Sequence, residues 1–582
     1  MSDAHPTPSP SETDVYAIHG ADPEVLAYAM AKYSRSALTL RESLAEISTQ
    51  RAEQFLNTFY FQYGHRSIAD LAHVAFAIEK LSLLAAIALV DETRWDGQER
   101  STRYQNFRKS GYYTPQFDTP AETASYTTTI NAMFDGYSTV GEGMLTELKA
   151  HTPRPAGMDE AAYTRTLRAR AYDMARYLLP LATNTSLGQI TNARTLEGQI
   201  ARLLGSEYAE VRDLGERLRG AAAGPAWNVT HTEARAIVEQ VRTLDADMGD
   251  LVAGHMLREV RTSPTLVKYT APSEFEARSR ISLAQAANAL MAAAPIAAMP
   301  ADAPNVELIL PPTGERMAFE IDLAASLLYP HLHYRFRQVR DAVAALDEAR
   351  ILEIIGLGTE HRGRHDELPR AYAAAQGLRF DILMDIGGFR DMHRHRRCTQ
   401  LLQAYTTAHG YDMPDFPGQP AVSGSAVDGV YRDTIARAFA LHTTMRGSIL
   451  GENAITQAAA TAPKLGSHSV AAVPMPQFGE GGITMQWGAP LGEPGNPVAP
   501  TPTAGTSPAH YLLPLATRCR SLFTMDFAQA VYISELRSTP AGHWSYRNVA
   551  WQMYQGLARA YPGLAHHVRI RDPHTPVDLL DR

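Results

Sequence analysis

Cysteine is almost absent: Cys398 and Cys519 are the only two among 582 residues. Two thiols exclude a disulfide-stapled scaffold and a zinc site built from cysteine alone. Lysine is nearly as scarce, at six of 54 basic residues. Arginine therefore supplies most of the positive charge, and an isolated Arg-x-Arg carries little information. Leu71 to Val90 is interrupted by His73, Glu79 and Lys80, which argues against a membrane span. A net charge of -8 gives no broad electrostatic case for nucleic acid or membrane partners. Residues 1–13 are rich in Ser, Pro and Thr, lack an apolar signal core and read as a disordered tail. The expectation is a cytoplasmic protein.

The hydrophobic content of 45% and charged fraction of 20% describe a globular chain with ample core. Its length predicts two large domains. The stretch Asp91 to Tyr104 ends in Glu99-Arg100-Ser101-Thr102-Arg103-Tyr104. If extended, it would project Glu99, Ser101 and Arg103 to one side. A carboxylate, a hydroxyl and a bidentate cation on one face suit a small anionic ligand such as a nucleotide. A solvated charged loop is the alternative.

Pro23 to Ile47 has a helical pattern, and Ser48 heads a second helix through Tyr60. Gly64-His65-Arg66-Ser67 follows, with Asp70 at capping-box spacing from Ser67. Ala72 to Glu79 reads as a strand and Leu81 to Val90 as a helix, while Met158 to Arg219 and Thr232 to Val260 read as largely helical. Phe380, Ile382, Met384 and Ile386 alternate with Asp381 and Asp385 as a half-buried strand. Gly387-Gly388 breaks it before a helix from Phe389 to Leu402 that carries Arg394-His395-Arg396. Met413 to Pro508 is rich in Gly, Pro and Ser and reads as loop insertions.

One repeat organises the whole. Tyr177-Leu178-Leu179-Pro180-Leu181-Ala182-Thr183 recurs as Tyr511-Leu512-Leu513-Pro514-Leu515-Ala516-Thr517, offset by 334 residues. Seven consecutive identities indicate a tandem duplication. The predicted units are residues 14–262 and residues 263–582, the second with loop insertions.

Together these pieces resemble the flavin-dependent thymidylate synthase family. Its signature is Arg-His-Arg, two variable residues, Ser, one variable, Asn-Glu, one variable, Ser, one variable, Arg-Tyr. A Gly-His-x-Ser/Thr element precedes it, and Ala-Arg-x-x-Leu-Pro and Asn-Ala-Arg follow. The first repeat keeps Gly64-His65-Arg66-Ser67, Glu99 to Tyr104, Arg176 and Asn192-Ala193-Arg194, but has Asp91-Glu92-Thr93 at the Arg-His-Arg positions. The second keeps Arg394-His395-Arg396, with Leu402, Ala404 and Thr406 at the distal positions. There His510 replaces Arg176, and Asp526-Phe527-Ala528 replaces Asn-Ala-Arg. Arg202 and Arg537 both approximate a later family arginine.

The resemblance implies an α+β fold, helix-rich with a central antiparallel sheet, present in two diverged copies. It implies methylation of dUMP to dTMP with methylenetetrahydrofolate and reduced FAD, NADPH recharging the flavin. Glu99, Ser101, Arg103, Arg176, Arg202 and Arg537 would bind substrate, with Ser101, Arg202 and Arg537 closest to the chemistry. His65, Ser67, Asn192, Arg194, Arg394, His395 and Arg396 would bind FAD, and no metal is expected. Family tetramers become a homodimer of tandem chains. One kind of site would join Arg394-His395-Arg396 to Arg176, Asn192, Arg194 and Arg202; the other would join Glu99, Ser101 and Arg103 to Arg537. A non-catalytic flavin- or nucleotide-binding paralogue and a flavoenzyme acting on another nucleotide are the alternatives.

Overall fold

The computed structural model describes residues 16–32, 38–46, 66–293, 303–310, 317–362, 369–375, 377–449, 508–565, 568–575 and 578–580. Its two halves are built on antiparallel sheets. The first comprises β1 (His73–Ser82), β2 (Asp96–Glu99) and β3 (Asn184–Asn192), in the order β1-β3-β2. The second comprises β4 (Val306–Ile309), β5 (Leu378–Asp385), β6 (Thr399–Leu402) and β7 (Arg518–Met525), in the order β4-β5-β7-β6. Apart from β4 and a one-residue bulge in β1 between Glu79 and Leu81, the two sheets share one register. Asp96 faces Ile190 and Glu99 faces Leu187, while Thr399 faces Thr524 and Leu402 faces Ser521.

Strand ends double as helix caps. Ser82 closes β1 and its hydroxyl accepts from the Ala85 N–H at 2.9 Å, starting helix Leu83–Leu89. Asp385 closes β5 and accepts from the Gly388 N–H at 2.7 Å, starting helix Ile386–Met392. Asn192 and Asp526 likewise cap helices Ala193–Leu204 and Phe527–Arg537. A side-chain oxygen on an otherwise orphan N–H makes each turn definite.

The duplicated segment pairs with its own copy. The Leu181 N–H donates to Leu513 O and the Leu515 N–H to Leu179 O, both at 2.9 Å. The Ala182 N–H donates to Tyr511 O at 3.0 Å and the Ala516 N–H to Tyr177 O at 2.9 Å. Each bond has a partner related by the 334-residue offset, so the contact is isologous, as across a two-fold axis. One apolar core runs through this joint from Phe134 and Leu178 to Leu512 and Phe523. A second core, around Leu327, Tyr329 and Phe336, reaches the second sheet at Ile309, Leu401 and Leu522.

Two diverged copies of an α+β domain are therefore present, and several local expectations change. Met158 to Arg219 is not all helix, because it contains β3, the central strand of the first sheet. Thr185, Leu187, Gln189 and Thr191 supply its buried face, and their polar members hide the period-two signal. The strand expected to be half-buried, β5, is buried along nearly its whole length. Its Asp381 sits among Tyr329, the Phe336 N–H and Arg520, which satisfy the carboxylate. The strand ends at Asp385, just before Gly387-Gly388, but the helix starts at Ile386 and includes both glycines, and it ends at Met392. Arg394-His395-Arg396 lies in the turn before β6, where a helix to Leu402 was predicted.

Ser67 lies within a 3-10 turn, Arg66–Asp70, and Asp70 bonds Arg194 in place of a capping box. Helix Asp428–Ile449 occupies part of the expected loop insertion. The described residues of the range Pro23 to Ile47 hold two helices, Pro23–Lys32 and Leu40–Glu46, and Thr232 to Val260 is split at Asp245. The tail, His65 and the Ser48-to-Tyr60 helix lie outside the described residues. Among the described residues no helix is long and apolar enough to cross a membrane.

Candidate functional site

Strand β2 ends at Glu99, and the chain then turns. The Ser101 hydroxyl accepts from the Arg103 N–H at 3.2 Å, so the run is extended only as far as Glu99. The turn directs Glu99 through Tyr104 at a cavity of about 280 Å³. Its opposite wall comes from the other repeat: Gly387, Arg390, Asp391 and Arg394. Arg176, from the segment leading into the duplicated joint, completes the lining.

Each charge has a defined hold. Arg103 Nε donates to Asp173 Oδ1 at 2.8 Å and its Nη2 to Oδ2 at 3.2 Å. Burial works against the Arg103 charge, but Asp173 overcomes this and raises its pKa. Glu99 is bracketed by Arg390 and by Arg394, the latter at 3.2 Å. Arg176 is only 2% exposed, its Nη1 donates to Thr102 Oγ1 at 3.4 Å, and it lies 3.7 Å from Asp391. Its Nε and Nη2 make no hydrogen bond. Burial opposes ionisation of Asp391, yet Arg176, Arg394, Arg103 and Arg537 hold its carboxyl below the usual range.

Arg537 backs this wall. Its Nε donates to His395 Nε2 and its Nη2 to the Asp391 carbonyl, both at 2.7 Å. Burial, reinforced by the Arg537 charge, pushes the His395 pKa down to about 3. The imidazole is therefore neutral, and with Nε2 accepting, its proton resides on Nδ1.

The remaining predicted residues lie elsewhere. Arg194 bonds Asp70 at 3.0 Å, and Arg94 stands 3.6 Å from the same carboxylate. Arg396 pairs with Asp96 at 3.0 Å and lies 5.9 Å from the Trp95 ring centroid. Arg94, Arg194 and Arg396 thus line the region where β2 begins, with Ser67 exposed nearby in the turn that carries Asp70. Asn192 caps its helix, and Arg202 bonds Glu92 at 2.7 Å. Among the described residues no cluster of His, Cys, Asp or Glu is placed to hold a metal.

The grouping differs from both predicted combinations. Arg394 and Arg176 join Glu99, Ser101 and Arg103 in one cavity with Arg537 behind it, while Asn192, Arg194 and Arg202 stay apart. Sequence reasoning missed Arg390, Asp391, Thr102 and Asp173. Arg390 stands four residues before Arg394, a helical-turn spacing that was the available signal.

A profile of the thymidylate synthase complementing protein family matches residues 17–219 and 375–563. The chain belongs to that family. The two matched regions fall one in each half, in agreement with the duplication. A UPF0159 protein of Chlamydia pneumoniae is 25% identical over 94% of this chain and 90% of its own length. Another from Thermoplasma acidophilum is 22% identical, over 90% of each chain. Among solved structures, ThyX of Helicobacter pylori, crystallised with FAD and dUMP, is 15% identical. That alignment covers 34% of this chain and 87% of the other, with a TM-score of 0.24. The UMP/dUMP methylase PolB of Streptomyces cacaoi gives 15% identity, 34% and 85% coverage and a TM-score of 0.24.

Proposed function

We propose that the chain is a flavin-dependent thymidylate synthase that methylates dUMP to dTMP. In this reading methylenetetrahydrofolate supplies the carbon and NADPH the reducing power. The observation that carries it is Arg176, a buried guanidinium with two unpaired nitrogens on a cavity that four more arginines also line. A buried donor set left unpaired is costly unless a ligand fills it, and an anionic ligand fits this one. Arg103 is pre-oriented by Asp173, so binding requires little reordering. Arg103, Arg176 and Arg394 would hold the nucleotide, with the Ser101 hydroxyl as a further contact. Neutral His395 keeps Arg537 directed at the wall without adding charge.

The residues also suit FAD. Arg94 and Arg194 meet at Asp70, and Arg396 pairs with Asp96, forming a basic margin where β2 begins that suits a diphosphate. Bound there, FAD would supply the hydride that reduces the transferred methylene. Two such chains would reproduce a four-repeat assembly, with the repeat boundary at residues 262 and 263.

A non-catalytic nucleotide- or flavin-binding role is the second reading, favoured by one observation. Glu99 already has two guanidinium partners, Arg390 and Arg394. The absorbance spectrum of the purified protein, titrated with dUMP, separates the readings. Flavin bands that shift on dUMP addition, together with rescue of a thymidine auxotroph, are expected. Ligand binding without rescue favours the second reading, and a protein that takes up neither FAD nor dUMP sinks both.

A further inference from the structure

The shared register fixes which residues of the two repeats correspond. The Arg100 N–H donates to Ser186 O at 2.9 Å and the Gln403 N–H to Arg520 O at 3.0 Å. The Leu83 N–H donates to Thr183 O and the Ile386 N–H to Thr517 O, both at 2.9 Å. Leu402, Ala404, Tyr405 and Thr406 therefore stand where Glu99, Ser101, Thr102 and Arg103 stand in the other copy. Ile87, Ala88, Asp91 and Glu92 match Arg390, Asp391, Arg394 and His395, and His510 matches Arg176. Arg202 and Arg537 correspond as well. Arg202 donates to Glu92 and to the Ala88 carbonyl, as Arg537 does to His395 and the Asp391 carbonyl.

The internal two-fold thus generates a second position equivalent to the cavity, and the two differ in content. Seven charged side chains line the cavity: Glu99, Arg100, Arg103, Arg176, Arg390, Asp391 and Arg394. At the seven corresponding positions only Asp91 is a carboxylate or guanidinium. Where Arg176 lines the cavity as a buried guanidinium, His510 is packed among rings. Its Nδ1 is 2.7 Å from the Tyr208 hydroxyl, and the His442 ring stacks on it at 5.7 Å. The Tyr405 ring, standing in for the smaller Thr102, lies 6.1 Å away. Asp91 is taken by Arg370 at 2.5 Å and Glu92 by Arg202 at 2.7 Å. Burial opposes ionisation of Asp91, but Arg370, His393 and Arg202 hold its pKa down at about 2.

We infer that each chain carries one nucleotide site, assembled across its internal two-fold, and that the symmetry-related position is a filled joint that takes no ligand. Phosphate recognition requires fixed cations, and the second position has exchanged them for rings and closed ion pairs. The inference rests on the nucleotide reading of the open cavity.

Equilibrium dialysis of the full chain against radiolabelled dUMP tests it. Saturation at one dUMP per chain is expected. Arg176→Met should weaken binding at least ~30-fold, the usual result of truncating a buried charged contact. His510→Gln, and Thr406→Val should the former not fold, should leave stoichiometry and affinity unchanged within about twofold. Saturation at two per chain overturns the inference. So does binding that survives Arg176→Met but fails in His510→Gln. If wild type binds no dUMP, the nucleotide reading fails, and the joint is then tested alone by thermal unfolding of Asp91→Asn, Arg370→Gln and the double variant. A double variant no worse than either single supports a closed ion-pair joint, whereas additive losses or no loss overturn it.

Discussion

The cavity beside Arg176 and the packed position beside His510 share one backbone and almost nothing else. Around both, edge and central strands pair at the same offsets, and an arginine bonds the same carbonyl position, Ala88 or Asp391. One side chain set leaves open, charged space and the other fills it with Tyr405, His442 and Tyr208. The difference shows that backbone geometry is upheld by β-ladders and caps, which tolerate many side chains. A ligand site depends on side chains alone. It also shows that a single repeat is not the unit on which the losses fell. The substitutions Asp91-Glu92-Thr93 in one repeat and Leu402, Ala404 and Thr406 in the other look like separate damage to two signatures. In space the residues matched to the cavity fall on one side of the two-fold, and the opposite side stays intact.

The largest expected contrast is between Arg103 and its counterpart Thr406. Arg103→Met leaves Asp173 buried without its cation and should cost about 3–5 kcal/mol in chemical denaturation. Thr406→Val should cost under ~1 kcal/mol, since Thr406 holds only the Ala408 N–H through its hydroxyl. Equal losses at the two positions would break the comparison. Next come the two halves of the duplicated joint. Ala182→Pro and Ala516→Pro each delete one of the paired N–H donors and strand a carbonyl, at about 1–3 kcal/mol apiece. Here the losses should match, because the backbone contact is symmetric.

The arginine pair sharpens the comparison through pH. The His395 pKa is about 3 when folded against roughly 6.5 unfolded. The stability from its neutral burial is therefore present above pH ~6.5 and lost as pH falls toward 3. Arg537→Gln removes the cation beside the ring, so His395 should titrate at higher pH and this acid sensitivity should weaken. Arg202→Gln should leave the His395 titration, followed by its ring-proton resonance, where it was. The smallest effect belongs to Asp91, held at about 2 against roughly 3.9 unfolded. Its contribution is present above pH ~4 and lost as pH falls through 4 toward 2. Asp91→Asn should flatten that limb of the stability profile by under ~1 kcal/mol, because a side chain 34% exposed is screened by water.

Much of this was legible in the residues. The repeated Tyr-Leu-Leu-Pro-Leu-Ala-Thr announced the duplication, and the resemblance pointed to Glu99, Ser101, Arg103, Arg176 and Arg394, which the fold gathers into one cavity. Strand β3 escaped because its buried face carries Thr185, Gln189 and Thr191, whose partners come from distant segments: Glu99, Trp95 and the Arg94 carbonyl. Arg390, despite its four-residue spacing from Arg394, and Asp391 escaped because no local pattern records that they face another repeat.

The sequence alone determined the duplication and the family resemblance, because those depend on residue identity. Only the tertiary structure decided that the two broken signatures compose one charged cavity and one filled joint. That outcome depends on segments some 300 residues apart meeting across a two-fold, where the Arg394–Glu99 pair spans 295 positions and no local pattern records the partner.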